Sequence, residues 1–230
     1  MAEGRSGYGF AEWMTIRERC RGFRRDCLRD ALAAKTQRSA PVNKFGSRSR
    51  ASVITLGGVT HDPRAIANFF LALAESEGRS ITPLQLTKLV YLAHGWYLGV
   101  TGVPLLNENP EAWPYGPVLP SIYHEFKAFG NRPITRHATE LDWNTFDWKE
   151  ITLPTDSSLD SLRHFLRAVW GLYGKKSGLE LSSLTHKPGT PWYKTWSELG
   201  GKDRKGVDIP DELIRQHYQE LKKQHAGAAK

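Results

Sequence analysis

A long apolar helix pattern in residues 82–102 constrains the fold more than any other feature. Thr82 is a favourable N-cap, Pro83 suits the first helical position because its missing N–H needs no partner there, and Gln85 completes a capping-box pattern. Apolar residues recur at i, i+3, i+4 and i+7, and they are Leu86, Leu89, Val90, Ala93, Trp96 and Tyr97. Gly99 and Gly102 supply the predicted end. The pattern predicts a helix of about 15 residues with one face against a core.

A short aromatic segment, residues 111–117 (EAWPYGP), follows this helix. Pro114 and Pro117 fix their φ angles, and Gly116 permits a backbone conformation that other residues resist. A second helix is predicted to begin near Pro117 and to end at Gly130, with an apolar face made of Val118, Ile122, Tyr123, Phe126 and Phe129. We therefore expect a rigid turn between two helices.

Capping signals and apolar faces predict five more helices. They are a helix from Asp62 to near Gly78, one over residues 159–173 that Gly174 ends, a short one opened by the capping box of Ser177 and Glu180, one opened by Thr190 and Pro191, and one over residues 210–224. Weak alternation at period two predicts short strands in residues 134–139, 141–143 and 145–148. The fold class predicted is mainly α, as a compact single helical domain with a few short strands.

The excess positive charge lies at the N-terminus. The net charge is +8, and residues 1–60 hold 12 Lys and Arg against 5 Asp and Glu. Residues 17–29 are typical of a basic amphipathic helix, and residues 34–60 are typical of a linker. The prediction is a flexible basic extension over residues 1–60, disordered or partly helical, and one domain over residues 61–230. The extension is open to three interpretations: an inert or mis-started segment, a contact with nucleic acid or an acidic surface, or a partner-binding helix.

Three motifs resemble the Panacea domain of SocA-like antitoxins. They are LxKLVYLAHGWYL in residues 86–98, EAWxYGPVxPxIY in residues 111–123, and LSxLTH in residues 181–186 followed by Pro191 and Trp192. They occur in the family's order, and the resemblance covers about residues 61–199. It implies an antitoxin of a toxin–antitoxin module that binds its cognate toxin directly. It further implies an adaptor role that delivers the toxin to an ATP-dependent protease.

Composition favours an intracellular protein. Cys20 and Cys27 are the only cysteines, so a disulfide framework is not expected, in agreement with a reducing cytoplasm. No apolar run approaches the roughly 18 residues of a membrane span, and the N-terminus lacks the apolar core of a signal peptide. The expectation is a cytoplasmic protein without a membrane partner.

The sequence carries no recognised catalytic or cofactor motif. The histidines considered, which are His94, His124, His164 and His186, fit no HExxH-like ligand spacing, and no nucleotide-binding or nucleophile motif is present. We therefore expect no enzyme activity, no metal and no cofactor. One weaker alternative is a hydrolase built around His94 and His186. Another is a DNA-binding regulator that acts through residues 1–60.

Five residues are candidates for contact with the toxin. Tyr115 is the preferred anchor, and Trp113 belongs to the same rigid turn. Tyr97 and His94 are expected to line a partly exposed groove beside that turn, because Tyr combines a large apolar area with a polar group. Lys88 is predicted on the helix face opposite the apolar stripe, as a solvated charge or as an ion-pairing partner of the toxin.

Overall fold

The computed structural model describes residues 59–227, with side chains up to Gln224. The predicted basic helix in residues 17–29 and most of the predicted linker lie outside the described residues. In chain order the elements are α1 (Pro63–Ser76), α2 (Pro83–Thr101), β1 (Glu111–Trp113), β2 (Gly116–Val118), α3 (Pro120–Phe126), β3 (Thr139–Asp142), β4 (Asp147–Glu150), α4 (Asp160–Tyr173), α5 (Gly178–Thr185), α6 (Pro191–Tyr193), β5 (Val207–Asp208) and α7 (Asp211–Gly227). The predicted fold class, mainly α with a few short strands, is confirmed.

Helix α2 is the centre of the domain. It has 19 residues and begins as predicted, with the Thr82 side chain accepting from the Gln85 N–H at 3.4 Å. The predicted one-sided burial is wrong, because α1, α3, α4, α5, α7 and β2 all pack around this helix. The Gln85 side chain does not complete a capping box, since its amide donates to the carbonyls of Gly174 and Lys176 at 3.1 and 2.8 Å.

Two glycines of α2 allow α7 to pack closely against it. A Cβ on Gly95 would lie 2.1 Å from Cε2 of Tyr218, and one on Gly99 would lie 2.5 Å from Cβ of the same tyrosine. Gly99 is therefore a packing residue inside the helix, not the predicted stop. Gly102 ends the helix as predicted, with a left-handed φ of 81°.

The remaining predicted helices are present. The Asp62 side chain caps α1 through a 2.7 Å bond from the Arg64 N–H, and Ser177 and Glu180 form the predicted capping box at the start of α5. Helix α4 ends at Gly174, and its Phe165 packs edge-on against Tyr97 with ring centroids 5.7 Å apart. The amphipathic patterns thus placed these helices correctly.

The segment predicted as a turn and the start of a helix is instead a β-hairpin. Strand β1 pairs antiparallel with β2, and β5 adds a third strand on the other side of β1. The following helix, α3, begins at Pro120 and not at Pro117. Tertiary contacts favour the hairpin, because β2 lies against α2 and Lys88 of α2 donates a hydrogen bond to the Pro117 carbonyl of β2.

A second hairpin, formed by β3 and β4, projects from α1. The predicted strand over residues 134–139 is wrong except for its last residue. The other two predicted strands are half right, since residues 141–142 lie in β3 and residues 147–148 lie in β4. The buried Asn68 of α1 holds the base of this hairpin. Its amide donates to the carbonyls of Ala138 and Ile151 at 2.9 and 2.8 Å, and its oxygen accepts from the Ala138 N–H at 2.8 Å.

Candidate binding site at the β1–β2 hairpin

The connection between β1 and β2 is a two-residue turn. Trp113 pairs with Gly116, so Pro114 and Tyr115 occupy the central positions. With Trp113 as the first residue of the turn, Pro114 is the second and Gly116 the fourth. Type I turns favour Pro and Gly at these positions. Gly116 has a φ of 99°, a conformation that glycine adopts without strain, as the sequence predicted.

Lys88 fixes the backbone of this turn from inside the protein. Its Nζ donates to the carbonyl oxygens of Tyr115 at 2.7 Å and Pro117 at 2.9 Å. The side chain is 0% exposed, and burial lowers the pKa of the amino group to about 7. The expectation of a solvated Lys88 is therefore wrong, because the hairpin covers the helix face that the apolar pattern leaves polar.

Helix α5 and the residues after it hold the same turn from a second side. The Ser182 hydroxyl donates to the Tyr115 carbonyl at 3.2 Å, and the Trp192 indole N–H donates to the Trp113 carbonyl at 2.9 Å. His186 donates through Nδ1 to the Ser182 carbonyl at 2.6 Å, and its ring centroid lies 4.0 Å from that of Trp192. His186 thus caps the C-terminal end of α5.

Gly116 lies against both of these supports. A Cβ at this position would lie 2.6 Å from Nζ of Lys88 and 2.8 Å from Cε1 of His186. Atoms at such distances overlap, so the hairpin approaches α2 and the end of α5 only because position 116 lacks a side chain. The three motifs that the sequence shows therefore meet at the backbone of one turn.

The outer side of the turn is aromatic and open. Tyr115 is 79% exposed, although its carbonyl is held by two hydrogen bonds. Trp113 is half-buried, donates from its indole to Glu111 at 2.7 Å, and lies edge-on to the exposed Tyr123 with centroids 4.8 Å apart. The arrangement presents a large aromatic side chain on an immobilised backbone.

Two further candidate residues lie in the interior. His94 is 1% exposed and donates from Nε2 to Asp211 at 3.1 Å, while Tyr97 is 7% exposed and packs on α4. The expected groove lined by these two side chains is wrong, because α7 and α4 cover the faces of α2 on which they lie. Neither residue reaches a partner directly.

The geometry gives the hydrolase alternative no support. His94 pairs with Asp211 of α7, whereas His186 bonds to Ser182 and lies on Trp192, so the two histidines serve different contacts. In the portion of the chain that the structure describes, no group of three or more His, Cys, Asp or Glu side chains could hold a metal ion. None of the described helices combines the length and apolar character needed to cross a membrane.

Comparison with known proteins now adds to this geometry. The family described as "Antitoxin SocA-like, Panacea domain" matches residues 86–193, a range that includes Lys88, the hairpin, Ser182 and Trp192. Antitoxin SocA of Caulobacter vibrioides (strain NA1000 / CB15N) is 32% identical over 157 residues, which cover 68% of this chain and 82% of that relative. The chain belongs to the SocA-like antitoxin family. No solved structure matches it.

The sequence indicated some residues of this candidate site and missed others. Tyr115, Trp113 and Gly116 were identified from the turn, but Ser182 and Trp192 were seen only as parts of motifs. Ser182 bonds to Tyr115, 67 positions away, and Trp192 bonds to Trp113, 79 positions away. No local sequence pattern indicates contacts over such separations. The available signal was the occurrence of the three motifs together in one chain.

Proposed function

We propose that this protein is an antitoxin that neutralises a cognate toxin by direct protein–protein binding at the β1–β2 hairpin. Membership of the SocA-like family supports the antitoxin role. The observation that carries the site is the exposed Tyr115 side chain on a backbone fixed by Lys88 and Ser182. The domain responsible is residues 61–230, and residues 1–60 form a separate extension.

Rigidity is the physical reason for choosing this surface. Ordering a loop on binding costs conformational entropy, and a turn already fixed in the free protein avoids that cost. Tyr has only two side-chain torsions and offers a large apolar area with one hydroxyl, which is why it is enriched among interface hot spots. Tyr115 is accordingly the anchor of the proposed interface.

Neighbouring side chains extend the surface. Trp113 and Tyr123 form one aromatic pair beside the turn. On the other side, Leu179 is exposed and lies three positions before Ser182 on α5, so the two share a helix face. The proposed interface thus has an aromatic centre with an apolar flank, a composition typical of interface cores.

Lys88, His94 and Tyr97 act indirectly in this proposal. Lys88 is a positioning residue, since it contacts the turn and not the surface. His94 and Tyr97 stabilise the contacts of α2 with α7 and α4. Substitutions at these three positions should change binding only together with the fold or with the geometry of the turn.

Neutralisation takes one of two forms in this proposal, steric blocking of the toxin or its delivery to an ATP-dependent protease. Co-expression with the product of the neighbouring reading frame tests the common step. We expect the two proteins to co-purify at equal stoichiometry. We also expect cells that express both to grow, whereas cells that express the toxin alone do not. A folded protein that neither co-purifies nor restores growth would overturn the proposal. The toxin's half-life, measured with and without the protease, then separates delivery from blocking.

A further inference from the structure

The β3–β4 hairpin carries a second aromatic surface, far in sequence from Tyr115. Trp143, Phe146 and Trp148 are each at least 70% exposed, and the rings of Trp143 and Phe146 meet edge-on at 6.5 Å. Soluble proteins rarely expose such clusters without a binding role. Phe146 also has a φ of 56°, which is uncommon for a bulky residue. The Phe146 N–H donates to the Asp142 carbonyl at 2.7 Å, so the turn itself holds this conformation while the aromatic rings remain exposed.

The same hairpin is acidic. Residues 139–150 hold four carboxylates and one lysine, a net charge of −3. Asp142 and Asp147 lie directly opposite each other across the strands, where like charges repel. Lys149 pairs with Asp142. Among the described residues, none forms an ion pair with the carboxylate of Asp147. A cationic group beside Asp147 would remove this repulsion, so the surface is complementary to a basic segment with apolar residues.

The described chain begins close to the base of this hairpin. Val59 precedes α1, and Asn68, nine positions later, holds the hairpin through Ala138 and Ile151. Four extended residues and five helical ones span roughly 20 Å at most. The chain that leads to the basic N-terminal segment therefore leaves the described domain within roughly 20 Å of the base of the hairpin.

We propose that residues 16–29 of the same chain dock on the β3–β4 hairpin. Residues 17–29 contain six arginines against Glu18 and Asp26, and the apolar Ile16, Phe23 and Leu28 are interspersed with them. Arginine binds carboxylates with two parallel hydrogen bonds and stacks on aromatic rings, so it suits a hairpin that carries Asp142 and Asp147 on one face, Trp148 on the other and Trp143 with Phe146 between its strands. The segment supplies cations for the carboxylates of the hairpin and apolar side chains for its exposed aromatic rings.

Because the segment and the hairpin belong to one chain, even a weak contact between them is enough for docking. Residues 30–58 connect the segment to Val59, and 29 residues can span at most about 100 Å, so the connection is long enough to reach the hairpin. Contacts between two parts of one chain typically have an effective concentration on the order of 1 mM. Docking covers the exposed aromatic side chains of the hairpin in the free protein. The inference concerns a surface separate from the proposed toxin site, and its test requires no toxin.

Cys20 and Cys27 report on this docking in the intact chain, because they are the only cysteines and both lie in the segment. The reduced protein is treated with N-ethylmaleimide, an uncharged thiol reagent, and labelling of each cysteine is followed by mass spectrometry. A synthetic peptide of residues 13–33 gives the rate for undocked thiols. We expect labelling about tenfold slower in the protein, the factor for a contact with a Kd of about 100 µM at that effective concentration.

Two variants and one control decide the outcome. The double substitution Trp143→Ser with Trp148→Ser and the single charge reversal Asp147→Lys should each restore the peptide's rate, as should about 0.5 M NaCl in the unsubstituted protein. Asp147→Lys relieves the repulsion with Asp142, so it should not weaken the fold. The control Tyr115→Ser removes an exposed aromatic elsewhere and should leave labelling slow.

Three results would overturn the proposal. The first is a protein whose thiols react as fast as those of the peptide. The second is protection that persists in both folded hairpin variants. The third is protection that disappears on dilution, because that result would show docking on a second copy instead.

Discussion

The amino group of Lys88 lies 2.7 Å from the carbonyl oxygen of Tyr115, and it bonds the Pro117 carbonyl at 2.9 Å as well. A buried cation without a carboxylate partner is costly, and hydrogen bonds to two carbonyl dipoles offset only part of that cost. The contact nevertheless joins the central helix to the most exposed aromatic turn of the domain. Its consequence is that the geometry of the proposed binding surface depends on Lys88, which is itself buried.

Replacing Tyr115 with alanine should weaken toxin binding by at least about thirtyfold, the equivalent of about 2 kcal/mol for a hot spot. Phe146→Ala removes a similarly exposed aromatic from the other hairpin and serves as the matched control. Calorimetric titration with the toxin measures both, and their unfolding midpoints are compared with that of the unsubstituted protein. Unchanged affinity in a folded Tyr115→Ala variant would place the toxin site elsewhere.

Gly116→Ala should destabilise the protein by about 2–5 kcal/mol. The new Cβ would overlap Lys88 and His186, and alanine at a φ of 99° is strained. The control is Gly102→Ala, which has a φ of 81° but nothing within 4 Å, and should cost only about 1 kcal/mol. Urea unfolding measures the difference. Equal costs would show that the close approach at the hairpin contributes nothing.

Stability should rise with pH above neutrality because of Lys88. Its folded pKa of about 7 lies below the ordinary value of 10.5, so between these values the unfolded chain binds the extra proton. The free energy of unfolding should therefore increase from about pH 7 towards pH 10.5, with a slope approaching about 1.4 kcal/mol per pH unit. The contribution of Lys88 to that free energy should be lowest below pH 7.

Lys88→Met provides the reference for that measurement, since it removes the titrating group at similar length. Burial lowers the pKa values of His61 and His217 to about 4, so they titrate below the window used. Urea unfolding at pH 7, 8 and 9 gives the two slopes. Parallel slopes for the two proteins would show that Lys88 does not titrate differently on folding.

Asn68→Ala should loosen the β3–β4 hairpin and cost at least about 2 kcal/mol, because it leaves buried backbone groups of Ala138 and Ile151 without partners. Hydrogen exchange should accelerate first in residues 139–150. Ser76→Ala on the same helix removes one exposed hydrogen bond and should change little. Exchange that accelerates uniformly over the domain would argue against a local anchoring role.

Gly95→Ala should destabilise the α2–α7 contact, although alanine is the better helix former by about 1 kcal/mol. The added methyl would lie 2.1 Å from Cε2 of Tyr218, and overpacking of this kind typically costs about 1–3 kcal/mol. A double-mutant cycle with Tyr218→Ala tests the assignment by urea unfolding. The paired variant should be more stable than the sum of single effects predicts, by at least about 1 kcal/mol. Strict additivity would contradict it.

The SocA-like family, the helical class and most helix ends could be predicted from the sequence. Caps at Thr82, Ser177 and Gly102 involve partners only three or four positions away, so the residues themselves specify them. The basic segment in residues 17–29 and the aromatic turn with Pro114 and Gly116 are equally evident from composition. These features depend on local chain geometry, which is why local patterns were sufficient.

Only the tertiary structure decided which side chains face solvent. Periodicity put Lys88 on a polar face, and the mixed apolar and polar character of tyrosine suggested a groove for Tyr97. Packing on all sides of α2 instead buried both and left Tyr115 exposed. Residues 116–118 became a strand because β1 and Lys88 supply hydrogen bonds that a helix there could not receive. The sequence by itself determined the helices and their ends, where hydrogen bonds are local. The site was decided by contacts between residues dozens of positions apart. Local sequence patterns do not indicate such contacts or the free energy that they contribute.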